Sequence, residues 1–284
     1  MRKFFWILPC FAAFGCLQLG LRASPSLFQN FATSMFEECD TELAKASIPA
    51  NLKLLEGLLK NDPTNRGILR TLAIGFAGYA LLFVEETEPE RASDLYLRAR
   101  HYGFEALGAI GQDLEESLIG PRTPEVALSA ITQDDFEPLF WATVSLTGWI
   151  NLNLDNPSAI AQLGFAERCL RILVATKPDY LYGLPHVLLG ASLSARPSLL
   201  GGQVEEGRAH FEKALKMGDR KLFLAQYYMA RYYAVQAQDK GLFISLLQEV
   251  ARGDPAGLKD FCLINRVMQQ KAKDLEKRTD ELFL

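Results

Sequence analysis

Ala166-Glu167-Arg168-Cys169-Leu170-Arg171-Ile172-Leu173-Val174-Ala175-Thr176-Lys177-Pro178 is the stretch that decides the fold. Ala166, Leu170 and Leu173 fall on one helical face, and Pro178 ends the run because it has no N–H to donate. The gaps of four, three and five recur in Phe243, Leu247, Val250 and Pro255, and again in Asn51, Leu55, Leu58 and Pro63. Ala92, Tyr96 and Ala99 repeat the first three terms, as do Gly207, Phe211 and Ala214. Small residues let two helices approach closely, while the large residue between them fills the groove to the next pair. Elsewhere apolar residues recur at three and four spacings, strand alternation is nearly absent, and the breakers Asn61-Asp62-Pro63, Glu88-Pro89, Asn156-Pro157, Gly201-Gly202 and Gly253-Asp254-Pro255 separate the runs.

The spacing is that of the second helix of a tetratricopeptide (TPR) unit. It predicts an all-α chain of irregular TPR-like helix pairs, an α-superhelix, over 65–110, 136–177, 180–217 and 222–253. An orphan helix near 49–61 precedes them. A polar helix over 257–281 caps the stack, with Gln269, Gln270, Lys271, Lys273 and Asp274 suited to a wet outer face. Gly111 to Asp135 reads as an insertion of short helical pieces.

Met1-Arg2-Lys3 is a short positive segment, and Phe4 to Leu19 carries no charge. That is a secretory leader rather than a spanning helix, which needs ~20 apolar residues. Gly15-Cys16 at its end is what lipid attachment requires, making Cys16 the expected anchor, with 1–15 the leader, 16–30 a tether and 31–284 one helical domain. Ala13 and Phe14 depart from the usual pattern, so cleavage after Ala23 to give a soluble chain starting at Ser24 stays open, as does an uncleaved anchor. Cys39, Cys169 and Cys262 then remain, an odd and scattered set that reads as no disulfide framework, with Cys169 and Cys262 as small core residues.

The net charge of −4 without a basic cluster argues against nucleic acid and against an anionic bilayer surface as partners. Catalytic machinery is not evident. The three histidines, His101, His186 and His210, sit at no metal-motif spacing, and no phosphate-binding glycine loop or nucleophile elbow occurs. The expectation is a binding protein with no cofactor and no metal, not an enzyme. Glu37-Glu38, Glu85-Glu86, Glu115-Glu116 and Glu205-Glu206 read as solvated helix ends, because neighbours on a helix point to different faces. His210 reads as a partly exposed helix residue, and His186 as either a packing or a cavity residue. Arg196 can bind an acidic group or extend its stem over apolar surface to reach water.

Aromatic residues on first helices carry the strongest functional signal. Tyr228 and Tyr232 are four apart, Trp141 and Trp149 eight apart, and Tyr182 lies near a helix entrance with His186. Such rings serve either as interhelix filler or as the wall of a ligand cavity. The expected cavity set is Trp141, Trp149, Tyr182, His186, Tyr228, Arg231 and Tyr232, with Arg231 as the charge-pairing group.

The run Tyr182-Gly183, His186, Leu189-Gly190, Pro197, Gly201-Gly202 and His210-Phe211-Glu212-Lys213-Ala214 resembles the signature stretch of the TRAP-transporter T component (TatT) family. Leu263-Ile264-Asn265 with Asp280-Glu281-Leu282-Phe283, Phe140-Trp141 with Trp149, and Ala230-Arg231-Tyr232 add to that resemblance, which runs from about residue 30 onward. It implies a lipid-anchored periplasmic accessory of a TRAP transport system, a homotrimer with a channel or cleft through each protomer, a small organic or hydrophobic ligand, and a solute-binding protein as partner. The alternative is a general TPR lipoprotein scaffold that recognises a peptide or protein partner in envelope assembly.

Overall fold

The computed structural model describes residues 25–120, 123–196 and 201–283. The chain is all-α, 78% helical, with no strand among the described residues. The helices are α1 (Pro25–Glu37), α2 (Thr41–Leu59), α3 (Arg66–Tyr79), α4 (Pro89–Leu107), α5 (Ala109–Ile119), α6 (Glu125–Ser129), α7 (Phe136–Leu152), α8 (Pro157–Ala161), α9 (Leu163–Thr176), α10 (Leu184–Ser194), α11 (Val204–Met217), α12 (Phe223–Tyr228), α13 (Lys240–Arg252), α14 (Cys262–Glu276) and α15 (Thr279–Leu282). Two of them run on into π-helical turns, α3 into Ala80–Val84 and α12 into Met229–Ala234.

Local chemistry sets the boundaries. Asp40, Asn65, Asn156 and Asp239 each accept backbone N–H groups at a helix start, which satisfies donors that the first turn leaves free. Pro89 and Pro157 occupy first helical positions, where the missing N–H costs nothing. The orphan helix begins earlier than its breakers indicated, at Thr41, because Asp40 caps it and Pro49 is accommodated inside it.

Ala92, Tyr96 and Ala99 of α4 are fully or almost fully buried, as are Ala166, Leu170 and Leu173 of α9 and Phe211 and Ala214 of α11. Gly207 on α11 lies so close to α10 that an added Cβ would stand 2.9 Å from the Gly190 carbonyl oxygen. This is the close approach for which a small first position is selected. Arg66–Val84, counted with its π-turn, is long and apolar enough to cross a membrane, but 78% of its apolar window is buried inside the protein. It packs as a core helix.

Charged pairs tie α3 to α7: Arg66 meets Asp135 at 2.6 Å and Arg70 meets Glu137 at 2.7 Å. The C-terminal helix is held by Asn265, fully buried, which accepts the Phe223 N–H and donates to the Lys221 and Pro255 carbonyls. Helices α1 and α2 fold back against α14, so the two ends of the described chain meet. A Cys39–Cys262 disulfide locks that closure across 223 residues. This corrects the reading of the cysteines as free of any disulfide and of Cys262 as a simple core residue; partners so far apart leave no local spacing to read. Cys169 is a free, buried thiol, and burial pushes its pKa up to about 12. The cap is shorter than 257–281, since two 3₁₀ turns (Pro255–Gly257 and Lys259–Phe261) come before α14. Lys271 is not on its wet face but 6% exposed.

Candidate functional site

The closure of α1 and α14 over the helix pairs leaves internal space. One chamber of about 90 Å³ is walled by α3, α4, α7, α9, α10, α12 and α14, and most of its lining is apolar. A second chamber of about 470 Å³ lies under α1 and shares Phe36, Trp141, Leu184 and Ile264 with the first. Phe36 and Trp141 stack with ring planes 11° apart, so the partition between the chambers is aromatic. A third, polar cleft of about 650 Å³ lies between α2 and α14, beside the disulfide.

Trp141, Tyr228 and Tyr232 line the first chamber, and Trp141 and Tyr182 the second. Trp149 lies elsewhere: eight residues leave it roughly 80° round the helix from Trp141, and its ring sits beneath Arg100. Tyr182 is held at φ +60, a left-handed conformation rare for large residues, by the turn Leu181–Gly183. Its ring packs edge-on against Phe261.

His186 points away from the chamber towards α11, where its Nδ1 lies 2.6 Å from Nδ1 of His210. His210 is 9% exposed, which corrects its reading as a partly exposed surface residue. At that separation one ring must donate and the other accept, so the pair holds a single proton between the two facing nitrogens. Burial, then the His210 and Lys213 charges, lowers the pKa of His186 to about 4. Burial and Lys213 lower that of His210 as well, with Glu206 opposing.

Arg231 is not in the chamber wall. It stands behind it, 3.7 Å from Glu85 and 4.0 Å from Glu86, and donates to the Tyr227 hydroxyl. Tyr232 first, then Tyr227 and Glu85, keep its guanidinium charged against the opposite pull of burial. Lys271 pairs with Glu86 at 3.1 Å, and Tyr227 donates to the same carboxylate. The Glu85 side chain is only 11% exposed and accepts a 2.6 Å hydrogen bond from Tyr96. Glu85 is therefore no solvated helix end, whereas Glu86 beside it remains exposed. The cause is the π-turn: the Glu85 N–H bonds back to Ala80, five residues earlier, instead of to Leu81, and the extra residue turns the carboxylate inward. Sequence reasoning missed Glu85, Tyr96 and Phe36 as chamber residues. Arg196 does line the chamber, held by Glu167 at 3.2 Å.

No group of three or more His, Cys, Asp or Glu among the described residues is placed to hold a metal ion. The arrangement is suited to holding an apolar body beside a few polar groups. The sequence model of the TRAP transporter T-component family matches residues 37–283, nearly the whole chain. The chain belongs to that family. Over 276 residues it is also 23% identical to an uncharacterized protein of Treponema pallidum (strain Nichols), an alignment covering 90% of this chain and 84% of that protein. Membership gives this T component an accessory role in TRAP transport, association with such a system, and an envelope-associated, periplasmic setting. The family is one of transport accessories and is not a known enzyme family. Cys16 and the leader lie outside the described residues.

Proposed function

We propose that this T component is a periplasmic, lipid-anchored protein that takes a small, largely apolar ligand into its internal chambers and docks the solute-binding protein of its TRAP system. The observation that carries the reading is the pair of chambers meeting at Phe36, Trp141, Leu184 and Ile264. Partly enclosed space with largely apolar walls suits a small molecule better than an extended peptide, which needs a groove with backbone partners. The helix pairs are read as irregular TPR-like units whose first helices supply the walls. Cys16 is the proposed anchor, with residues 1–15 the leader and 16–30 a tether. The assembly is read as a homotrimer.

Native mass spectrometry of the chain purified from its own envelope should find a bound small molecule, and titration with the system's solute-binding protein should give saturable binding. A chain that is empty and does not bind that protein would sink the proposal. Cys16→Ala should release the chain from the membrane fraction. An unmodified mature start at Ser24 would remove the anchor and leave the rest standing. Light scattering of the soluble mature chain at micromolar concentration should report three copies, and a monomer would end the trimer reading.

A further inference from the structure

Among the residues lining the first chamber only Glu85 and Arg196 carry charge. Arg196 gives one guanidinium nitrogen to Glu167 at 3.2 Å, while its Nε is buried without a hydrogen-bond partner. Glu85 is also only partly engaged. Its Oε2 accepts from Tyr96, but its Oε1 stands 3.7 Å from the Arg231 guanidinium, beyond hydrogen-bond range, and an ionised carboxylate has room for about four donors.

Beside it, Tyr228 and Tyr232 meet edge to face at 5.2 Å. Both lie close enough to Glu85 to feel its charge, and neither hydroxyl makes a hydrogen bond to another described residue. Tyr228 is 9% exposed as a residue and lines the chamber, and no hydrogen bond ties its hydroxyl to the wall. The cation that balances Glu85 is behind the wall, shared with Glu86 and Tyr227, and does not face the chamber. A carboxylate head at this end would meet the Glu85 carboxylate, whose own balancing cation stands behind the wall; the chamber's lining cation, Arg196, is no contact of Glu85. A donor head would find one anionic acceptor and two hydroxyls that either accept or donate.

We propose that this end of the chamber is a head-group subsite for a protonated amine, or next best an alcohol, carried on a short apolar body. The inference rests on the chamber being a ligand site. It departs from the charge-pairing role expected of Arg231, because that guanidinium stands behind the wall beside Glu85, Glu86 and Tyr227. The two π-turns build the subsite: one ends at Glu85, and the other starts after Tyr228 and contains Tyr232.

The test is calorimetric titration of the mature chain at neutral pH with n-pentylamine, n-pentanol and pentanoate. Pentylamine should bind about tenfold or more tightly than pentanoate, the scale of one charge-assisted hydrogen bond. Glu85→Gln, which still gives Tyr96 an acceptor, should erase that preference, and Tyr228→Phe with Tyr232→Phe should weaken pentanol binding while the rings stay in place. Circular dichroism establishes that each variant is folded. Pentanoate binding as tightly as pentylamine, or an amine preference that survives in Glu85→Gln, overturns the head-group assignment and leaves the chamber as a ligand site. Failure of all three probes to bind overturns both.

Discussion

Helix α10 walls the chamber with Leu184, Leu188 and Ala191 and, on another face, presents His186 to His210 of α11. The two buried polar assemblies on either side of that wall follow opposite rules. The imidazole pair closes on itself: the facing nitrogens are matched, and Glu206 approaches the far side of His210 at 3.8 Å. The Glu85 assembly stays open: Tyr96 donates to Glu85, Arg231 and Tyr227 bond each other behind the wall, and the Tyr228 and Tyr232 rings line the cavity. A protein gains nothing in stability from a buried hydroxyl without a partner. On the proposed reading, the closed pair fastens two helices, and the open front is where a ligand's head group would be received.

The contrast requires α1 and α14 to stay in place, since Phe36 and Ile264 belong to the partition between the chambers. Its base can be broken first. Replacing Cys39 and Cys262 by Ser should cost about 3–5 kcal/mol, because the bond closes a very long loop in the unfolded chain. Urea unfolding should show it, and a loss below about 1 kcal/mol would mean that α1 and α2 hold to α14 without it.

Next is the back of the open assembly. Arg231→Met leaves Glu85 without its guanidinium partner and weakens the setting of Glu86, which keeps Lys271. The Arg231 side chain is still 35% exposed, so solvent screens much of this and the cost should be about 1–3 kcal/mol. An unchanged unfolding midpoint would show that the ion pairs at 3.7 and 4.0 Å contribute nothing.

The closed assembly is tested by acid. Both imidazoles have folded-state pKa values below the ordinary histidine range, so the unfolded chain takes up protons first as pH falls. Stability is complete above about pH 6.5 and is lost as pH drops towards about 4. The groups facing the pair are Glu206 and Lys213 on α11 and Arg171 on α9, and only Glu206 favours the charged form. Between pH 7.5 and 5 the chain should lose about 1–2 kcal/mol, and His186→Leu with His210→Leu should flatten the profile. A profile that keeps its slope in the double variant would assign it to other groups.

Much of this fold is legible in the sequence because it is written locally. Ala166-Leu170-Leu173 and Gly207-Phe211-Ala214 lie within single helices, where the period of 3.6 converts spacing directly into a buried face. The candidate site is less legible for three physical reasons. The π-turns at Ala80–Val84 and Met229–Ala234 break that period, so face arithmetic misplaces Glu85. His186 and His210 are 24 residues apart on separate helices, and no single-helix pattern records their contact. Cys39 and Cys262 meet only because the two ends of the chain close on each other. Of the expected cavity residues, Trp141, Tyr228 and Tyr232 line one chamber, whereas Trp149 and His186 make other contacts.

The smallest expected effect on stability discriminates best. Tyr96→Phe removes a 2.6 Å hydrogen bond to the Glu85 carboxylate and should cost about 1.5–3 kcal/mol, as bonds to charged groups do. Tyr228→Phe removes a hydroxyl of equal size a short way along the same wall, but one that no described residue engages. Its rings stay packed, so its unfolding midpoint should move by less than about 0.5 kcal/mol, in either direction. The two variants differ by one oxygen atom each and share the burial that raises both tyrosine pKa values above their ordinary range. If Tyr228→Phe proves as costly as Tyr96→Phe, its hydroxyl has a partner in the folded chain. The open front of the Glu85 assembly would then be closed like the imidazole pair, and the difference between the two sides of α10 would disappear.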